Sequence, residues 1–471
     1  MRKFSLLKYM AIVIWASSAL LQLEGCANIV PPSGGPRDSL PPYLIAARPI
    51  DSALNVHPKE ILVGFNEYIT TSSIQENLIV SPTLKNIPLI DARLNSIRIR
   101  ISDTLLDNTT YSLQFGNAIK DVNEGNIIKN FTYVFSTGGQ LDTGKLTGKV
   151  LLAENGRIDS TLIVVLHPSQ KDSAIFKERP NYYTKLNGKG VFSFNFLPKE
   201  QYNLFVLPND YTKKYDDSTK LFAFLDSSIL IGKSKDSIQL FAFQGAKKAD
   251  KRKSVTTSKL PKKTGAILKY TKDFDGSEQD LLHPLHLIFE TPIHFNDSFP
   301  IALSDTFNNK LAGASIQIDS VHPETIVVSY PWKATTKFHL IIPQASIKDS
   351  LQNFLIKSDT LKFITKTEYA YNSCTIRLSG YENLTHPILQ LTQDDKVKFS
   401  YPITSSLLSI PRLPLGEYSL KLLLDNNNNG KWDTGSFYGK QKQQPEIVKW
   451  LPIPLNIKAN WENELNLILN K

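Results

Sequence analysis

Short apolar runs of period two, separated by turn residues, restrict this chain to one fold class. Ile61-Leu62-Val63-Gly64-Phe65, Ile97-Arg98-Ile99-Arg100-Ile101 and Tyr111-Ser112-Leu113-Gln114-Phe115 alternate or cluster apolar side chains as an extended backbone requires. Asp107-Asn108 and Asn123-Glu124-Gly125 stand between such runs, and these residue types favour turns. No long 3.6-residue period competes across residues 43–137. The pattern resumes in Gly148-Lys149-Val150, residues 161–166, Gly190-Val191-Phe192-Ser193-Phe194-Asn195-Phe196 and residues 202–206. Many short strands punctuated by turns predict an all-β chain of sandwiches. A hydrophobic content of 41% excludes wholesale disorder. The 471 residues suggest three or four domains of about 100–150 residues each.

The first residues are of another kind. Arg2, Lys3 and Lys8 precede an apolar stretch, residues 9–23, which Glu24 and Gly25 end. This is a secretory signal pattern, short for a span that needs about 20 apolar residues. Leu23-Glu24-Gly25-Cys26 resembles a lipobox, in which the cysteine becomes the first mature residue and carries lipid. Glu24 departs from the small residue usual there. The alternative is an uncleaved anchor, or an ordinary signal peptide with a chance cysteine. Residues 1–25 are read as signal peptide and Cys26 as the lipidation site; the Pro/Gly-rich residues 26–42 form an extended tether. The only other cysteine is Cys374, so acylation of Cys26 leaves no intramolecular disulfide.

Family resemblances follow from longer motifs. Pro31-Pro32-Ser33-Gly34-Gly35-Pro36-Arg37-Asp38, Phe65-Asn66-Glu67-Tyr68, Phe115-Gly116-Asn117-Ala118-Ile119-Lys120-Asp121 and Phe131-Thr132-Tyr133-Val134-Phe135-Ser136-Thr137-Gly138 resemble the SbsA-type Ig-like module of lipoproteins from Bacteroidota. The resemblance covers residues 26–140 and implies a sandwich without known catalytic residues. In residues 145–243, Gly190-Val191-Phe192-Ser193-Phe194, Leu197-Pro198 and Tyr202-Asn203-Leu204 are similar to a prealbumin-like or carboxypeptidase-regulatory-type β-sandwich, whose role is support or binding. The second half repeats the first. Phe289-Glu290 parallels Phe65-Asn66-Glu67, and Ser346-Ile347-Lys348-Asp349 parallels Ala118-Ile119-Lys120-Asp121. Thr335-Thr336-Lys337-Phe338-His339-Leu340 parallels residues 109–113 with one insertion, and residues 410–420 parallel residues 194–204. The predicted order is A–B–A′–B′: an Ig-like sandwich over 43–140, a prealbumin-like sandwich over 145–243, a basic linker over 244–264, a second Ig-like sandwich over 265–366 and a second prealbumin-like sandwich over 367–471.

The net charge of +10 does not signal nucleic acid once it is located. Eight lysines and arginines stand in residues 246–263 against Asp250 alone, so most of the excess lies in one linker. That linker is a solvated spacer or a contact for an anionic envelope surface. It also makes the expected main joint of a jointed arm whose fixed end is Cys26.

The sharpest chemical motif is Asp425-Asn426-Asn427-Asn428-Asn429-Gly430-Lys431-Trp432-Asp433. Oxygens at Asp425, Asn427, Asn429 and Asp433, the Lys431 carbonyl and a bend at Gly430 match the start of a calcium loop. Ser436 stands where that loop needs its last acid, so a weak site is implied. The other reading is a hairpin with an Asn-Gly turn. No other cofactor is expected. Gly188-Lys189-Gly190 lacks the helix and Lys-Ser/Thr of a phosphate loop. Pro284 breaks the spacing of His283, His286 and His294, which argues against zinc. No Gly-x-Ser-x-Gly elbow exists. Glu67 and Asp121 would need a shared cleft to act as acid and base; otherwise they satisfy backbone groups. Asp38-Ser39, Asp51-Ser52, Asp103-Thr104 and Asp359-Thr360 resemble an O-glycan acceptor motif and equally suit turns.

These observations predict a non-catalytic lipoprotein on the periplasmic face of the outer membrane. It would serve as a binding or scaffold subunit of a cell-envelope assembly, secretion or transport complex, with no nucleic-acid partner. Asp is absent after Cys26, and so is the acidic run of surface export. The alternative is a surface lipoprotein that binds glycan or host matrix, for which Tyr182-Tyr183 or Trp432, Phe437 and Tyr438 could stack sugars, although core packing is the more ordinary use of such aromatics.

Overall fold

Every second residue of the strand Glu60–Phe65 turns inward: Ile61, Val63 and Phe65 are fully buried. Beside it Ser96–Arg100 buries Ile97 and Ile99 and turns Arg98 and Arg100 outward. This is the period-two pattern converted into a two-faced sheet. The computed structural model describes residues 9–15, 17, 37–168, 171–233, 238–245, 268–274, 276–349, 352–437 and 442–469. Cys26, the lipobox and residues 246–264 of the basic linker lie outside them. Residues 9–15 are helical. Among the described residues no helix is long and apolar enough to cross a membrane, which says nothing of β-barrels.

The chain is all-β, a series of sandwiches, and divides into two compact units, residues 1–143 and 144–471. In the first unit one sheet runs Leu44–Arg48, Glu60–Phe65, Ser96–Arg100, Leu89–Arg93. The facing sheet runs Ile79–Ser81, Thr110–Gly116, Phe131–Ser136, and a short pair joins Ile69–Thr71 to Ile119–Asp121. Tyr111, Leu113, Phe115, Tyr133 and Phe135 meet the inner residues of the first sheet in one core. The Tyr111 hydroxyl accepts the Leu106 N–H at 2.8 Å, a tie of the tyrosine-corner kind.

The second unit begins with an extended sheet in which Gly144–Leu152 pairs antiparallel with Val191–Leu197 and parallel with Ile238–Gln244. Leu162–His167 and Gln201–Pro208 pair in the same sheet system. The arrangement recurs at the end of the chain. There Tyr371–Ser379 pairs antiparallel with Leu407–Pro414 and parallel with Asn463–Ile468, while Pro387–Gln393 pairs with Gly416–Leu424. Between them two four-stranded sheets enclose a core of Leu285, Leu287, Ile326, Val328, Leu340 and Ile342.

The internal repeat extends to single hydrogen bonds. Ile119–Asp121 pairs with Ile69–Thr71 as Ile347–Asp349 pairs with Ile293–Phe295. Thr137 Oγ1 accepts the Thr109 N–H at 2.9 Å and donates to the Leu106 carbonyl at 2.7 Å. Thr365 Oγ1 accepts the Thr336 N–H at 2.9 Å and donates to the Lys333 carbonyl. Thr336, not Thr335, therefore stands where Thr109 does, and the insertion expected from the sequence disappears.

The expected joint at the basic linker is corrected. Residues 144–245 and 268–469 belong to one unit, and the chain divides at 143/144 instead. The reason is a dock between the early and late sandwiches, in which Phe437 enters an aromatic cluster of residues 144–245.

Candidate functional site

The strand Gly416–Leu424 leaves its sheet at Asp425, and the chain returns only at Ile447–Ile457, where Ile447 faces Leu424. The excursion, residues 425–446, begins with the Asp/Asn-rich motif. Asp425 is fully buried at its base. Its Oδ2 accepts the Gly430 N–H at 2.7 Å and its Oδ1 the Asn429 N–H at 3.2 Å. Burial pushes its pKa up, but backbone N–H groups of Gly430, Asn429, Asn428 and Asn427 outweigh that and hold it below the ordinary carboxylate value. Asp433 Oδ2 accepts the Asn427 and Asn429 side-chain amides at 2.6 and 2.5 Å. Lys431 is exposed and donates its backbone N–H to Asn429 Oδ1 at 2.8 Å. The structure thus gathers Asp425, Asn427, Asn429 and Asp433 into one closed loop.

Asn428 and Gly430 adopt φ values of 58° and 78°. A two-residue type I′ turn at Asn429-Gly430 would need positive φ at both of those positions, so the tight-turn reading is replaced by a long loop. Among the described residues no three His, Cys, Asp or Glu side chains converge as a metal site.

Sequence reasoning missed Glu446. It is 3% exposed, accepts the Asn426 N–H at 2.8 Å through Oε1 and the Asp433 N–H at 3.0 Å through Oε2. Its carbonyl accepts the Trp432 Nε1–H at 2.8 Å. No local signal links a residue so distant in sequence to the Asn run.

The far part of the loop docks on residues 144–245. Phe437 is buried among Phe224, Phe222, Phe205, Phe176 and Tyr215, with ring centroids 4.9, 5.0, 5.7, 5.7 and 6.4 Å away. Gly435 presses on Phe243: a Cβ there would stand 2.8 Å from the ring. Gln444 Nε2 donates to the Phe224 carbonyl at 3.1 Å, and the Val448 N–H donates to the Ala153 carbonyl at 2.9 Å. Lys442 pairs with Asp172 at 2.5 Å. Phe437 and Tyr182 are buried and take the packing role that the sequence set against sugar stacking, and Tyr438 lies outside the described residues.

The remaining candidates take structural positions. Asp121 is buried and accepts the N–H groups of Glu124, Gly125 and Asn126 at 2.6, 2.7 and 2.8 Å. Burial raises its pKa, and these bonds reverse the shift to below the ordinary value. Glu67, whose pKa burial raises with Asp121 among the neighbouring charges, accepts only the Asn66 side-chain amide among the hydrogen bonds described, at 3.3 Å, and not a backbone group. His286 pairs with Asp273, and His283 stacks on Phe399 at 5.5 Å. Cys374 packs in an apolar core, and burial pushes its thiol up to about 11. The hydroxyl residues Ser39, Ser52, Thr104 and Thr360 are all exposed.

Residues 38–137 match the family described as bacterial Ig-like domain. No curated protein matches the chain. Among solved structures, the Bacillus anthracis TIE protein is 10% identical, covering 93% of this chain and 76% of its own, at a TM-score of 0.15. The major pilin subunit BcpA of Bacillus cereus is 8% identical, covering 70% and 99%, at 0.17. The S-layer protein rSbsC(31-844) is 12% identical, covering 89% and 55%, at 0.16. At such scores these likenesses say nothing about activity.

Proposed function

We propose that the chain is a lipoprotein of the Bacteroidota type, anchored through Cys26 to the periplasmic face of the outer membrane. It acts without catalysis, as a binding or scaffold subunit of a cell-envelope assembly, secretion or transport complex. One observation carries this reading: the carboxylates that stood out in the sequence hold the fold together. Asp121 and Asp425 have backbone N–H groups on their carboxylates. The bacterial Ig-like match starts at residue 38, twelve positions after Cys26 and within the Pro/Gly-rich stretch that follows the lipobox.

Labelling cells with an alkyne fatty acid tests the anchor. The wild-type chain should carry label and fractionate with outer membrane, and Cys26→Ser should lose both. Label retained by Cys26→Ser sinks the anchor. A pull-down from detergent-solubilised outer membrane should return envelope proteins with the bait; return of the bait alone sinks the complex. Digestion by protease added to intact cells would overturn the periplasmic orientation.

A further inference from the structure

The last four-stranded sheet carries an unusual row on its outer face. Across four strands, Ser400 stands opposite Gln390, Gln390 opposite Lys421 and Lys421 opposite Trp450. The flanking Leu389, Leu391, Leu420 and Leu422 point into the core, so strand alternation turns this row away from it. Lys421 is nevertheless only 5% exposed. Residues 154–157 of the docked early sandwich stand over the row, with Trp432 at the side, and together they enclose a cleft of about 470 Å³. That is the size of a small-molecule site.

A buried ammonium is stabilised by a nearby anion. The carboxylates of the cleft supply only part of one: burial, with Arg157, holds the Lys421 pKa below its ordinary value, although Asp395 and Glu154 favour the charged form. Asp395 is turned to Arg157 at 2.5 Å, and among the described residues no carboxylate forms an ion pair with Lys421. The neighbour of Lys421 is instead the Trp450 ring, 5.7 Å from its ammonium. The rest of the lining mixes donors and acceptors: the Gln390 amide, the Ser400 hydroxyl, Glu154 and Lys431. A bare inorganic anion would leave the acceptors unmatched. A ligand with both a carboxylate and hydroxyl groups matches the whole set, and the Trp432 indole at the wall suits the apolar face of a sugar ring.

We propose that this cleft binds an acidic saccharide, its carboxylate on Lys421 and its hydroxyls on Gln390 and Ser400. The inference goes beyond the scaffold reading and does not rest on it. Both sides of the cleft must be present, so the site exists only while the early and late sandwiches are docked.

The test is titration calorimetry of the whole mature chain with glucuronate, galacturonate and N-acetylneuraminate. Glucose, galactose, N-acetylmannosamine and sodium sulfate serve as controls. At least one acid should bind at millimolar concentration or below, and at least tenfold tighter than its neutral counterpart and than sulfate. Lys421→Met keeps the bulk and removes the charge; it should weaken that acid at least tenfold. Binding of no acid, equal binding of neutral sugar or sulfate, or unchanged affinity in Lys421→Met overturns the proposal. Should Lys421→Met fail to fold, Ser400→Ala and Lys431→Ala should each weaken the acid several-fold, and wild-type affinity in both overturns it.

Discussion

Asp121 and Asp349 do one job at two places. Each ends a short strand and turns its carboxylate back on the following loop: Asp121 to three backbone N–H groups, Asp349 to the Asn353 backbone and side chain at 2.9 Å each. The sequence showed this role because Ile-Lys-Asp followed by a turn recurs, and a short acid before a turn caps the backbone. It did not show the alignment of Thr336 with Thr109, since two adjacent threonines look alike until a hydroxyl is seen bridging two chain segments. Charge sets the pH dependence. The folded pKa of Asp121 lies below its ordinary value, so its contribution is complete above the unfolded value of about 3.9 and is lost as pH falls through the folded one. Asp121→Asn should lower the local stability of this loop by about 1–3 kcal/mol near neutral pH. Hydrogen-exchange protection of the Glu124, Gly125 and Asn126 amides measures it. The gap between wild type and variant should close in acid below pH about 4; a gap independent of pH would contradict the charge argument.

The strand Leu162–His167 is buried along its whole length, whereas Glu60–Phe65 alternates. Leu162, Val164 and Leu166 face one core while Ile163 and Val165 face the aromatic cluster that receives Phe437. A run apolar at every position signals a sheet covered on both faces. That signal was in the sequence at residues 161–166, and it marked the dock; what it lacked was the identity of the cover. Nothing local in residues 432–437 names their partners, which lie some 200 positions earlier in the chain. Phe437→Ala should cost unit 144–471 about 3–5 kcal/mol, the usual loss for a buried phenylalanine. Its thermal transition should drop and the Val448 amide, bonded to Ala153, should lose protection. An unshifted transition would mean that the ring adds nothing to the dock. The same loop decides between metal and self-closure. Its amides and carboxylates already satisfy one another, so millimolar calcium should leave the melting temperature unchanged. A calcium-dependent rise that Asp433→Asn abolishes would instead establish ligation.

A series of β-sandwiches was legible because alternation, turns and an internal repeat are all local or periodic. The placing of the joint was not, because it depends on which surfaces meet after folding. Composition pointed to residues 246–263, yet the structure joins what lies on either side of them into one unit. The bonds across that dock are of unequal weight. Ion pairs such as Lys442–Asp172 and Arg157–Asp395 are half exposed and contribute about 0–1 kcal/mol each. The Phe437 ring buried against five aromatic residues contributes more, about 1.5–3 kcal/mol from area alone. The backbone bond from Val448 to Ala153 fixes the register between the two sheets. A dock with an apolar centre and a polar rim should survive loss of the covalent link. Produced together as two pieces, residues 26–250 and 264–471, the chain should co-purify as one complex through size exclusion in high salt. Salt screens the rim pairs but not the ring, so ionic strength should matter little. Phe437→Ala in the second piece should separate the two, whereas Lys442→Ala should not. Separation of the unmutated pieces would show that the linker itself holds the sandwiches together.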